Sequence, residues 1–172
     1  ASRLLPREDT EVGELLEKTL REQKGVVSLL QTRTLSVVKD GLGKRVMYTR
    51  GGVEKSIRVD DVLIATGRTP SVDLGLENAR VIYTPKGIET DAYLQTSARH
   101  IFAAGDVLGH SSHTHTALLE SRVAAHNLLH KNKVAPDYTA TSRLTFTHPG
   151  IASVGLLEDD CLKRDLQINK SI

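Results

Sequence analysis

Thr96-Ser97-Ala98-Arg99-His100-Ile101-Phe102-Ala103-Ala104-Gly105-Asp106-Val107 is the stretch that decides the fold. Its apolar run predicts a short strand over 100–104 that stops at Gly105-Asp106. A carboxylate at the end of a buried strand needs a partner, because burying a lone charge is costly. A ligand rich in hydroxyls is one such partner; an Asp that caps its own turn is the plainer alternative. The loop 105–115 then leads into a helix predicted from about Thr116 to His130, whose apolar positions Leu118, Ala125, Leu128 and Leu129 share a face. Ligands of α/β sheets gather outside the carboxyl ends of strands. A helix start there offers free N–H groups and partial positive charge.

Working outward, residues 9–24 predict a helix. Val12, Leu15, Leu16 and Leu20 recur at helical spacing, Asp9 or Thr10 stands at the cap, and Gly25 at the stop. Val26-Val27-Ser28-Leu29-Leu30 predicts a buried strand. Segments 33–39, 44–50 and 53–59 predict hairpin strands, separated by Gly41-Leu42-Gly43 and Gly51-Gly52. Asp61-Val62-Leu63-Ile64-Ala65 predicts a further buried strand ending at Thr66-Gly67. Residues 68–95 carry Pro70, Gly75, Pro85 and Gly87 and read as a connecting segment with short strands. Thr145 to Val154 reads as an edge-type strand region interrupted by Pro149-Gly150, and Glu158-Asp159-Asp160 opens a last helix. The alternation argues for α/β layers with an added antiparallel sheet.

The totals exclude several classes. There are 172 residues, with 23 basic against 21 acidic side chains and a net charge of +2, so neither the balance nor any basic run argues for nucleic acid. No apolar stretch is long enough to span a membrane. Cys161 is the only cysteine, which rules out a disulfide, a dithiol or a Cys-rich metal site within these residues. The chain opens at Ala1, has Met47 as its only methionine, and starts with Leu4-Leu5-Pro6 like a strand exit. A fragment of a longer protein is expected.

Three blocks, in order, carry a resemblance. Asp61 to Pro70 includes Ala65-Thr66-Gly67-Arg68-Thr69-Pro70. Gly87-Ile88-Glu89-Thr90-Asp91 leads through Thr96 to Ile101-Phe102-Ala103-Ala104-Gly105-Asp106. Thr145-Phe146-Thr147-His148-Pro149-Gly150-Ile151-Ala152-Ser153-Val154-Gly155 follows. Together with Leu4-Leu5-Pro6-Arg7-Glu8-Asp9 they resemble the FAD-dependent pyridine nucleotide–disulfide oxidoreductases, the group of dihydrolipoamide dehydrogenase and mercuric reductase. The resemblance implies an α/β fold: partial FAD/NAD(P)-binding Rossmann-like domains with an antiparallel hairpin sheet, plus the start of an α+β interface domain. It implies 1–66 as the C-terminal half of an NAD(P)-binding domain, 67–138 as the second segment of an FAD-binding domain, and 139–172 as the start of a dimerisation domain.

By position, the resemblance assigns Asp106, with Gly105, to the flavin ribitol. It assigns Ser112, His113, Thr114 and His115 to the loop facing the flavin pyrimidine. Gly67 and Thr34 match positions that line the nicotinamide nucleotide site, and Arg68 anchors the domain crossing. A glycine at 67 would allow close backbone approach. Implied for the parent protein are FAD and NAD(P)H as cofactors, a disulfide substrate (small molecule or protein) or mercuric ion, a homodimer, and a cytoplasmic location. The Gly-rich fingerprints, the redox cysteine pair and the catalytic His-Glu pair of the family fall outside these residues, so no catalytic residue is assigned and the chain alone is expected to be inactive. Glu120-Ser121 stands where many relatives have Glu-Gly, which puts close packing there in question.

Two other readings stay open. His110, His113 and His115 form a His-x-x-His-x-His loop that could bind zinc or nickel. The incomplete sheets could instead make an oligomerising module without catalysis.

Overall fold

Local sequence signals account for most of the elements in the computed structural model, which describes residues 1–171. They form two compact units, 1–65 with 156–171, and 66–155. All three sheets are antiparallel hairpins or meanders, and with the helices they make a mixed α/β fold.

In the first unit, α1 spans Thr10–Lys24 and buries Leu16. Gly25 ends it at φ 64°, its N–H bonding the Arg21 carbonyl and the Val26 N–H the Leu20 carbonyl, a left-handed stop that glycine adopts without strain. Asp9 holds the N-cap position, yet its carboxylate does not cap α1. It accepts the Glu158 N–H at 3.0 Å instead. β1 (Thr32–Asp40), β2 (Gly43–Arg50) and β3 (Val53–Val59) form a meander in sequence order. Asp40 pairs with Gly43 and Arg50 with Val53, leaving two-residue turns. Gly51 and Gly52 both have positive φ, 59° and 77°, the requirement of the turn type that matches strand twist. β1 carries a bulge between Thr34 and Ser36. α3 (Glu158–Lys163) has three acids in its first turn, favourable at the positive end of the helix dipole. Lys170 pairs with Glu11 and, at 2.5 Å, with Glu158.

Two expected strands do not form. Val26 to Leu30 and Asp61 to Ala65 join no ladder, and Val27, Leu63 and Ile64 are 76%, 92% and 80% exposed. A buried strand needs a neighbour for its N–H and C=O groups, and none of the described residues supplies a ladder here.

In the second unit, a small core of Leu76, Val81, Ile88 and Ala103 is surrounded by Val72, Ile101, Val107 and Leu108. β4 (Tyr83–Thr84) and β5 (Gly87–Ile88) make a short hairpin beside it. The expected strand at 100–104 is reduced to one bridge, Gln95 to Phe102, with the Thr96 N–H bonding the Ile101 carbonyl and the Ala103 N–H that of Leu94. A 3-10 turn, Gly105–Leu108, follows, and α2 spans Thr114–Leu129, two residues earlier than the apolar spacing predicts. β6 (Ser142–Thr145) and β7 (Ile151–Val154) form a hairpin around a cis His148–Pro149 bond.

The buried stripe of α2 is mostly polar, Thr116, Glu120 and Asn127 with Ala124, while Leu118, Leu128 and Leu129 are exposed. Asn127 explains part of this. Its amide donates to the Tyr93 and Val134 carbonyls and accepts the Val134 N–H, each at 2.8 Å, so the helix is fixed to two loops by satisfied hydrogen bonds. Among the described residues no helix is long and apolar enough to cross a membrane.

Candidate functional site

The 3-10 turn that carries Asp106 is held by backbone packed on backbone. Gly109 sits at φ 74°, and a Cβ there would lie 1.6 Å from the Lys86 carbonyl oxygen. Gly87, at φ 142°, would likewise meet the Leu108 carbonyl at 2.6 Å. Only glycine fits either position. Gly105, at φ 81°, backs onto α2 with Ala117 Cβ 3.1 Å from where its own Cβ would be.

This packing presents an open cavity of about 380 Å³, lined by Arg68, Thr69, Pro70, Asp106, Gly109 and Ser112. Asp106 is exposed at its edge and is not a buried strand-end charge as expected. Its carboxylate has no hydrogen-bond or ion-pair partner among the described residues; only its backbone carbonyl is used, by the Gly109 N–H at 3.0 Å. The side chain therefore does not cap its own turn.

Ser112 leads directly into α2, whose N-cap residue His113 makes no side-chain cap bond. The first N–H groups of α2 are left uncapped, an arrangement that favours an electron-rich or anionic group. Thr116, in the same first turn, is 2% exposed and its hydroxyl has no partner among the described residues. The expected site residues Arg68, Asp106 and Ser112 thus share one cavity, with Gly105 beneath it and Thr114 in the opening turn of α2. Gly67 adjoins Arg68 at φ 120°, with no protein atom within 4 Å of a Cβ built there. Its glycine requirement is conformational within the protein. Thr34 lies at the β1 bulge in the other unit.

The three loop histidines do not meet at one point. His110 Nε2 is 2.7 Å from Glu120 Oε1, and His115 Nε2 donates to the Ser142 carbonyl. His113 and His115 stack with centroids 5.3 Å apart. Among the described residues no group of three or more His, Cys, Asp or Glu converges as a metal site.

Glu120 is the residue to which sequence reasoning gave no role. It is 1% exposed, yet it is a carboxylate. Oε2 accepts the Gly105 N–H at 2.6 Å, and Oε1 accepts the Tyr138 hydroxyl at 3.0 Å beside His110. Burial, and then the hydrogen bond and charge of Glu120, push the Tyr138 phenol above its ordinary value, so it stays a donor. The available signal was the polar stripe Thr116, Glu120, Asn127 at helical spacing. Ser121 is exposed and donates to the Leu118 carbonyl at 3.0 Å.

An unpartnered carboxylate in a cavity beside an uncapped helix start suits a ligand with hydroxyl donors and an electron-rich or anionic group. Residues 1–121 match the sequence profile of the family described as pyridine nucleotide-disulphide oxidoreductase. The chain belongs to the pyridine nucleotide-disulphide oxidoreductase family. It is 37% identical over 159 residues to the mercuric reductase of Streptomyces lividans, covering 91% of this chain and 33% of that protein. It is 35% identical over 159 residues to the dihydrolipoyl dehydrogenase of Mycobacterium leprae, covering 91% and 34%. Among solved structures, the HOCl-induced flavoprotein disulfide reductase RclA from Escherichia coli superposes with a TM-score of 0.80 at 29% identity, over 95% of this chain and 37% of that one. The chain spans about a third of the length of the curated relatives it matches.

Proposed function

We propose that these residues form part of a homodimeric, cytoplasmic flavoprotein reductase that takes a hydride from NAD(P)H and delivers it, through FAD, to a cysteine pair acting on a disulfide or on mercuric ion. Bound FAD supplies the two-electron chemistry; the protein binds and orients it. The Asp106 carboxylate accepts hydrogen bonds from ribitol hydroxyls. Ser112, His113, Thr114 and His115, at the start of α2, would hold the electron-rich end of the flavin ring, whose negative charge the free N–H groups and the helix dipole would favour. Arg68 lines the same cavity.

The observation that supports this most is the unpartnered Asp106 carboxylate in a cavity beside the uncapped start of α2. Titrating the chain into FAD and following flavin fluorescence tests it. Saturable binding that weakens at least about tenfold in Asp106→Ala is expected, because a hydrogen bond to a charged group contributes about 1.5–3 kcal/mol. Binding unchanged by that substitution would count against the assignment. With Cys161 as its only thiol, the chain by itself is expected to give no NAD(P)H-dependent disulfide reduction.

A second reading, assembly without catalysis, draws on the exposure of Val27, Leu63 and Ile64. Light scattering after size exclusion tests it; a concentration-independent monomer would remove it.

A further inference from the structure

We propose that Glu120 is a positioning residue: its buried carboxylate holds the Gly105 amide, and so sets the direction in which Asp106 faces the cavity. Gly105 is the residue directly before Asp106, and its N–H donates to Glu120 Oε2 at 2.6 Å. The other oxygen is engaged by Tyr138 at 3.0 Å and His110 at 2.7 Å. The carboxylate thereby ties the Asp106 turn, the loop that follows it, α2 and the exit segment at 138 to one point.

Stability alone explains such a residue poorly. A buried charge suffers a desolvation cost that its hydrogen bonds only offset, and an apolar side chain of similar volume is often as stable or more so. What an apolar side chain lacks is a directional acceptor. Gly105 at φ 81° has the backbone freedom that would otherwise let the Asp106 turn adopt several directions. One charge-assisted bond at that residue selects one of them. The role in cofactor binding rests on the flavin reading of Asp106; the hold on the Gly105 amide does not.

The test compares the full chain with Glu120→Gln, which keeps a carbonyl acceptor, and Glu120→Met, which fills the space without one. Hydrogen exchange of the Gly105 amide is followed by NMR, together with far-ultraviolet circular dichroism and FAD fluorescence titration. A slowly exchanging Gly105 amide is expected in the parent chain and in Glu120→Gln, and exchange at least about tenfold faster in Glu120→Met, the loss of one hydrogen bond to a charged group. FAD affinity is expected to fall at least about tenfold in Glu120→Met and to be largely restored in Glu120→Gln. Fast exchange of Gly105 in the parent chain overturns the proposal, whether or not either variant folds. So does a folded Glu120→Met chain with unchanged Gly105 exchange or unchanged FAD affinity, the latter being what a merely structural residue would give. A parent chain that takes no FAD refutes the flavin reading and leaves the amide exchange to decide the hold of Glu120.

Discussion

Gly109→Ala probes the backbone contact that shapes the cavity. Two terms add. At φ 74° an L residue is strained, by about 1–2 kcal/mol. The new Cβ would also stand 1.6 Å from the Lys86 carbonyl oxygen and 2.8 Å from its carbon, which no rotamer can relieve. The 105–109 turn has to lift from the β4–β5 hairpin, loosening Val107 and Leu108 against Ile88. Forced repacking of this kind costs about 1–3 kcal/mol. The sum, about 2–5 kcal/mol, is a large part of the roughly 5–15 kcal/mol that stabilises an ordinary domain. Gly75→Ala is the control in the same unit: φ is 65°, and the nearest atom is the mobile end of Asn78 at 3.0 Å, so only the conformational term applies. Urea denaturation of both variants measures the difference. Gly109→Ala is expected to lose at least about 1 kcal/mol more than Gly75→Ala, the lower end of the repacking cost. Equal losses would mean that the Lys86 carbonyl does not pack there, and the account of the cavity wall would fail.

Gly43→Ala carries the same reasoning into the meander: its Cβ would sit 2.5 Å from the Val59 carbonyl, so a loss of about 1–3 kcal/mol is expected in thermal melts. Tyr138→Phe removes one donor from Glu120 and is expected to cost about 1–3 kcal/mol in denaturant titrations, since the carboxylate keeps its burial. Asp61 should titrate below the ordinary aspartate range, chiefly because Lys44 donates to it, and carboxyl NMR should show the value rising in Lys44→Ala. Its pKa is depressed in the folded state, so its small stabilising contribution is present above the unfolded value. That contribution disappears as pH falls through the folded one.

Elements that depend on their own residues were legible in the sequence. α1 announced itself by apolar spacing and Gly25, the meander by its paired glycines, and α3 by its acidic start. The runs at 26–30 and 61–65 were not legible, because a strand exists only where another strand accepts its hydrogen bonds, and apolar composition carries no record of whether that neighbour is present. The face of α2 failed for a different reason. Hydrophobicity predicts the buried side only when burial is apolar, whereas this helix is fixed by Asn127 and Glu120 through hydrogen bonds to distant loops. At the candidate site, the Gly105-Asp106 turn and the loop before α2 stood out as a pair. The glycines that shape the turn, Gly87 and Gly109, did not, because their contact joins residues more than 20 positions apart in sequence. Asp106 itself is exposed and free, so its significance lies in the cavity it faces and not in the cost of burying it.

The most direct test of the central claim is an FAD titration of the chain, parent against Asp106→Asn, read by flavin fluorescence. Asparagine keeps the shape and removes the charge that accepts ribitol hydroxyls. Saturable one-to-one binding by the parent, weakened at least about tenfold by the substitution, is the predicted result. Equal binding by the two chains, or none by the parent, would contradict it.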